Sequence, residues 1–237
     1  MNYPGGKNGS GVYQAIINLM PPHLTYIEPF LGSGAIMRLK KPAWSSIGID
    51  IDAAVIKRFT VPIPELELIQ EDALDWLSNY QFLTRTLIYL DPPYLMETRS
   101  SKRPIYDHEF YTLEQHTKLL ELIQRLPCMV MISGYWSVLY STELIAWRSA
   151  SFQAQTRGGH SATEWVWMNY PSPLELHDYR YLGSDFRERE RIKRKQARWK
   201  NRLATMPDLE RHALLSVIES LRDPASTPTA MGSGKRN

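Results

Sequence analysis

Four consecutive residues, Asp91-Pro92-Pro93-Tyr94, carry the most specific chemistry in this chain. Adjacent prolines stiffen the backbone and remove two N–H donors, leaving carbonyl oxygens pointing outwards. The aspartate ahead of them adds a carboxylate acceptor, and the tyrosine adds an aromatic face. Together they form a receptor for a flat base bearing an exocyclic amine. The amine donates to Asp91 and a proline carbonyl while Tyr94 stacks on the ring. In isolation the same tetrapeptide would also serve as a proline-rich loop with a capping Asp. Its place in the fold decides between them.

A second group is Glu28-Pro29-Phe30-Leu31-Gly32-Ser33-Gly34. Glycines here allow a tight turn and close backbone approach to a ligand, and a following helix offers unpaired N–H groups. The spacing is neither the dinucleotide Gly-x-Gly-x-x-Gly nor a phosphate loop. Asp50, 16 residues after Gly34, closes the next strand, where a carboxylate can accept both hydroxyls of a ribose. Asp50 or Asp52 could equally cap the helix that follows, and Asp72 could cap the next one. Acidic or glycine positions at the ends of three successive strands agree with one cleft for a nucleoside-containing cofactor.

The elements that must hold these groups are legible as short apolar runs. Residues 25–28, 46–50, 66–69 and 86–90 each stop at or within two residues of an acidic residue, as buried parallel strands often do. Helical segments are predicted at 34–40, 52–59 and 72–80, with a longer one from Thr112 to Leu126 capped by Thr112. Residues 128–132 form a fifth strand, and two more follow near 146–153 and 164–170. This alternation predicts a doubly wound α/β sheet.

After Pro171-Ser172-Pro173 the composition changes. Residues 185–204 are helix-permissive and heavily charged, 208–221 repeat apolar residues at helical spacing, and 223–237 are rich in Pro, Ser, Thr and Gly. We therefore expect a catalytic domain over 1–174, a basic helical extension over 175–222 and a disordered tail over 223–237.

Composition narrows the class. The chain has 237 residues, 43% hydrophobic and 22% charged, which excludes a disordered protein. No stretch approaches the roughly 20 apolar residues of a membrane span, and the first residues lack the pattern of a secretory signal. The single cysteine, Cys128, excludes a disulfide framework and a cysteine-built zinc cluster, so a reducing cytoplasm is the expected compartment. Cys128 follows a proline but opens an apolar strand, and is expected to pack as core and not to act as a nucleophile. The six histidines lack metal-ligand spacing, so no metal is expected. Between Arg180 and Arg202 stand ten Lys/Arg against three Asp/Glu, a local +7 within a total of +3. The rest of the chain therefore carries −4, a mildly acidic body with a basic tail suited to a polyanion.

The ordered motifs resemble the Dam-like D12 class of amino-methylating DNA methyltransferases. The matching segments are Tyr3-Pro4-Gly5-Gly6-Lys7, Ile27 to Ala35, Gly48-Ile49-Asp50-Ile51-Asp52, Glu71-Asp72-Ala73 and Asp91 to Tyr94. Weaker matches are Tyr106 to Phe110, Ile132 to Tyr135 and Glu164 to Tyr170. They span residues 1–172 in family order. The resemblance implies S-adenosylmethionine (SAM) as methyl donor and a Rossmann-like class I methyltransferase sheet of seven strands, the last antiparallel. By position, Lys7 and the 30–34 turn, with Phe30, Gly32 and Gly34, would hold the methionine part of the donor, and Tyr3, Glu28 and Pro29 would join the cofactor-binding residues. Asp50 would take its ribose and Asp72 its adenine ring, with Ile51 and Ala73 also among the cofactor-binding residues. Asp91, Pro92, Pro93 and Tyr94 would hold a target adenine swung out of DNA. The alternatives are the same chemistry on adenine N6 of RNA or on cytosine N4, or an inactive nucleic-acid-binding protein.

One departure from the resemblance matters. Only 18 residues separate Asp72 from Asp91, so the usual target-recognition domain is missing and specificity is expected to be relaxed or very short. Two segments could contact nucleic acid instead. One is the loop after Tyr94, with Arg99, Lys102 and Arg103. The other is the stripe Arg187, Arg191, Arg194, Lys195, Arg198 and Arg202, which suits phosphates and equally suits a solvated helix.

Overall fold

The structure, a computed structural model, describes residues 6–9, 11–98, 110, 112–155 and 161–221. Its strands are β1 (Thr25–Glu28), β2 (Ser45–Asp50), β3 (Leu66–Gln70), β4 (Thr86–Leu90), β5 (Met129–Tyr135), β6 (Arg148–Gln155) and β7 (Ser161–Met168). Its helices are α1 (Val12–Ile17), α2 (Ala35–Leu39), α3 (Ala53–Arg58), α4 (Ala73–Asn79), α5 (Leu113–Ile123), α6 (Val138–Glu143), α7 (Phe186–Ala204) and α8 (Asp208–Ser220).

The seven strands form one sheet in the order β3-β2-β1-β4-β5-β7-β6. The pairs from β3 to β5 are parallel, and β7 runs antiparallel to both β5 and β6. This is the class I methyltransferase sheet, a Rossmann-like α/β fold. The central strands β1 and β4 are buried along their whole length, and β4 accordingly carries the apolar run Leu87 to Leu90. The edge strand β3 alternates between half-buried and exposed.

Successive residues pack on opposite faces of the sheet. Tyr26, Leu87, Tyr89, Met131, Val166 and Met168 join one core with Ile16 and Met20 from α1 and its C-terminal end. Ile27, Ile88, Leu90, Ile132 and Trp167 join the other core with Leu119, Leu120 and Ile123 from α5. Thr112 caps α5 through its side chain, and Gln115 returns the bond to the Thr112 backbone.

The order reverses between β1 and β4. In an open α/β sheet the crevice beyond the carboxyl ends of such a pair is where ligands bind. Here it receives the glycine turn from β1 and the double-proline corner from β4.

The chain divides into two compact units, Met1–Arg189 and Glu190–Asn237. Past Pro173 the chain still belongs to the first unit. His177 stacks on His23 with ring centroids 3.7 Å apart, and buried Asp178 accepts from Lys41 N at 2.8 Å. Among the described residues no helix is long and apolar enough to cross a membrane, and no cluster of three His, Cys, Asp or Glu could hold a metal ion.

Candidate active site

Strand alternation delivers the central groups to one face. Asp91 continues the row of Tyr89 beyond β4, and Ser133 and Tyr135 continue the row of Met131 along β5. Antiparallel pairing sets Glu164 of β7 opposite Tyr135. Lys7 comes to the same place from the segment before α1. Its Nζ lies 3.0 Å from Asp91 Oδ1 and 3.3 Å from Glu164 Oε2, and donates to Tyr94 Oη. It also stands 4.8 Å from the centre of the Tyr94 ring.

Lys7 is only 4% exposed. Burial alone would lower its pKa, but the carboxylates of Asp91 and Glu164 outweigh that and raise it, so the ammonium stays charged. Asp91 Oδ1 also accepts from Ser133 Oγ at 2.8 Å. Ser133 Oγ then accepts from Tyr89 Oη, 3.0 Å away. Burial, with Asp91 close by, pushes the Tyr89 phenol pKa well up, which keeps it a donor. The result is a fixed chain, Tyr89 to Ser133 to Asp91 to Lys7.

This chain occupies Oδ1 of Asp91 with two donors. Among the described residues none bonds Oδ2, and the side chain keeps 18% of its surface exposed. One carboxylate oxygen is therefore locked and the other remains able to accept. Pro92 is buried, while Pro93 and Tyr94 are half-buried. Tyr135 meets the Tyr94 ring edge-on, with centroids 4.6 Å apart. Behind that ring a small cavity, bordered by His116, Gly134, Tyr135 and Tyr140 among others, offers about 10 Å³ to the centre of a water molecule. That is room for roughly one water.

The glycine turn is tied to the end of β2. Gly32 N donates to Asp50 Oδ2 at 2.8 Å, Asp52 N to Asp50 Oδ1 at 2.9 Å, and Leu31 N to Ile49 O at 2.9 Å. Gly32 and Gly34 both have positive φ, 48° and 55°. On its Cβ side Gly34 faces the Phe59 ring, so the space left by the missing side chain is filled from within the fold. Glu28 lies 3% exposed below the turn, its Oε2 accepting from Tyr26 Oη and Met37 N at 3.0 Å each. Pro29 is buried, and Phe30 is half-buried edge-on to Phe110.

The chain is similar in fold to three solved methyltransferases. One is the 23S rRNA methyltransferase ErmE, 12% identical over 73% of this chain and 72% of that one, with a TM-score of 0.45. Another is an rRNA methylase from Streptococcus thermophilus, 11% identical over 69% and 97%, TM-score 0.45. The third is magnesium protoporphyrin IX methyltransferase from Synechocystis PCC 6803 with bound SAM, 11% identical over 68% and 76%, TM-score 0.42. No family model and no curated protein matches the chain.

Ile51 is 44% exposed next to half-buried Asp50. Asp52 caps α3 through Ala54 N, and Asp72 caps α4 through Leu74 N and Asp75 N, with Ala73 buried behind it. Cys128 packs against the α5-side core, and burial pushes its thiol pKa up to about 12, which suits core and not a nucleophile. Tyr3, Arg99, Lys102 and Arg103 lie outside the described residues. Arg187, Arg191, Arg194, Lys195, Arg198 and Arg202 are all exposed on α7. At 3.6 residues per turn they fall within an arc of about 100°.

Glu164 and Ser133 belong to this site, although the sequence assigned neither a role. The signal for Glu164 was present: a lone carboxylate in the otherwise apolar run 164–168.

Proposed function

We propose that this chain is a SAM-dependent methyltransferase acting on the N6 amine of adenine in DNA, with relaxed or very short sequence specificity. The observation that carries the reading is the state of Asp91. At the end of the central strand its Oδ1 is held by Ser133 and Lys7, while Oδ2 remains able to accept. The motif order shared with the Dam-like D12 class supports the same reading.

The crevice residues fit a nucleoside donor. Asp50 is half-buried at the end of β2, its two oxygens oriented by Gly32 N and Asp52 N, at the strand end where a carboxylate can accept the hydroxyls of a ribose. Ile51 beside it offers an exposed apolar surface for the flat ring, and Asp72 stands at the next strand end. When bound, SAM would supply an electrophilic methyl group on a sulfonium.

The protein's own part is positioning and electrostatics. Adenine N6 is hidden inside a duplex, so the base must be extruded at a cost of a few kcal/mol. Stacking on Tyr94 offsets part of that, worth about 1–3 kcal/mol. The N6 lone pair is delocalised into the ring, which makes the amine a poor nucleophile. Hydrogen bonds from its two protons to Asp91 and the Pro92 carbonyl favour a pyramidal nitrogen with the lone pair directed outwards. Rigid acceptors already in place make that arrangement effective. No covalent enzyme intermediate is required.

The test is incubation of the full chain with labelled SAM and unmethylated duplex DNA, single strands or RNA, followed by nucleoside analysis. N6-methyladenine from DNA, abolished in Asp91→Ala, is the expected result. Label in N4-methylcytosine or only in RNA would replace the substrate assignment. Transfer unchanged by Asp91→Ala would overturn the mechanism.

A further inference from the structure

Along β7, Glu164, Val166 and Met168 point to one face of the sheet. Val166 and Met168 are fully buried core residues, and Glu164 continues their row at 8% exposure. A carboxylate in such a place carries a desolvation cost of several kcal/mol unless a cation answers it. Lys7 is that cation. Glu164 Oε2 lies 3.3 Å from Lys7 Nζ, oriented as an ion pair without a hydrogen bond, and no other described group bonds that oxygen.

Lys7 therefore links Glu164 to both Asp91 and Tyr94. The ammonium sits between two carboxylates on different strands, with the Tyr94 hydroxyl taking a third direction. Tyr135, paired across the sheet with Glu164, packs on the Tyr94 ring and closes the group from the other side. The charges decide what this can do. Lys7 with Asp91 alone would be neutral; with Glu164 the cluster carries one net negative charge.

We propose that Glu164 is a positioning residue for the methyl transfer inferred above. Acting through Lys7, it fixes the Asp91 carboxylate and the Tyr94 ring, and it leaves the cluster anionic where the accepting amine becomes cationic. This rests on the methyltransferase reading. In the transfer, the N–C bond forms as the C–S bond breaks and the electron pair stays on sulfur. The amine nitrogen holds the positive charge until it releases a proton to Asp91. A preorganised negative cluster lowers the energy of that charge as it develops. A neutral cluster would not.

The experiment compares wild type, Glu164→Gln and Glu164→Asp in two assays. In steady-state methylation, Glu164→Gln is expected to lose roughly tenfold to a hundredfold in kcat with little change in KM for donor or DNA. Glu164→Asp keeps the charge and is expected to recover part of that loss. A Glu164→Gln kcat equal to wild type, or a change confined to KM, overturns the proposal. The second assay needs no activity: reductive methylation of lysines at alkaline pH, mapped by mass spectrometry. Lys7 is expected to react faster in Glu164→Gln than in wild type, and equal rates overturn the coupling. If wild type methylates no nucleic acid, the functional reading fails by itself, and the Lys7 labelling still decides whether Glu164 holds Lys7.

Discussion

Lys7 Nζ stands 3.0 Å from Asp91 Oδ1, joining the segment before α1 to the end of the central strand. Removing the ammonium would strand two carboxylates, Asp91 and Glu164, with little solvent around them. Lys7→Met is therefore expected to destabilise the fold by about 3–5 kcal/mol, read from urea unfolding. Adding Glu164→Gln to Lys7→Met removes one of the stranded charges. The double variant should be more stable than Lys7→Met alone, and strict additivity of the two losses would refute the shared ion pair.

Glu28 sets the pH dependence of stability on the α1 face. Burial raises its pKa from 4.5 to about 8, against the opposing hydrogen bonds from Tyr26 and Met37. The folded state thus keeps a proton that the unfolded chain releases. This contribution is fully present below about pH 4.5 and is lost as pH rises through about 8. Lys40 acts in the other direction: burial lowers its pKa from 10.5 to about 7, so its contribution grows between those values as pH rises. Burial also lowers the pKa of His23 from 6.5 to about 2, which offsets the Glu28 fall up to about pH 6.5. Wild type should therefore pass through a minimum of stability near pH 7 to 8. Glu28→Gln, which keeps both acceptor contacts and stays neutral, should remove the descending limb in urea unfolding at a series of pH values. A descending limb that persists would place its cause elsewhere.

Most of the frame was legible because the central strands β1 and β4 are short segments with apolar centres, β1 ending on Glu28 and β4 running into Asp91. Two six-residue helices were not. α1 begins at Gly11 with a φ of 92°, and α6 packs Ser141 and Thr142 into a single turn and a half after its Ser137 cap. The equally short α2 and α3 were legible from their place between two neighbouring parallel strands, a position that α1 and α6 do not share. Within the site, Asp91 and Tyr94 are close in sequence and their chemistry could be read locally. The bond from Lys7 to Tyr94 spans 87 positions, so no local pattern encodes it. The contacts of Lys7 with Asp91 and Glu164 are likewise made between segments distant in the chain.

Gly34 is held by packing as well as by backbone conformation. At a φ of 55° an added Cβ would overlap the Phe59 ring and meet Leu31 Cδ1 at 3.1 Å. Gly34→Ala is expected to cost about 1–3 kcal/mol through overpacking and the left-handed backbone. Phe59→Leu should relieve the overlap, so the pair of substitutions should cost less than the sum of the two. Additive losses would show that the ring is not the obstacle and that backbone strain accounts for the whole effect.

The basic face of α7 gives affinity without reading sequence, if it meets phosphates. Arg191, Arg194 and Arg198 belong to it and are exposed. Replacing all three by alanine removes positive charge while favouring the helix, since alanine is the better helix former. Circular dichroism should show helix content retained. Binding to duplex DNA should weaken to a similar degree for unrelated sequences. The dependence of log K on log salt should become shallower by roughly 0.9 for each phosphate no longer neutralised. An unchanged slope would assign the stripe to solvent. Weakening confined to one sequence would make these arginines base readers, which a phosphate-tracking helix is not.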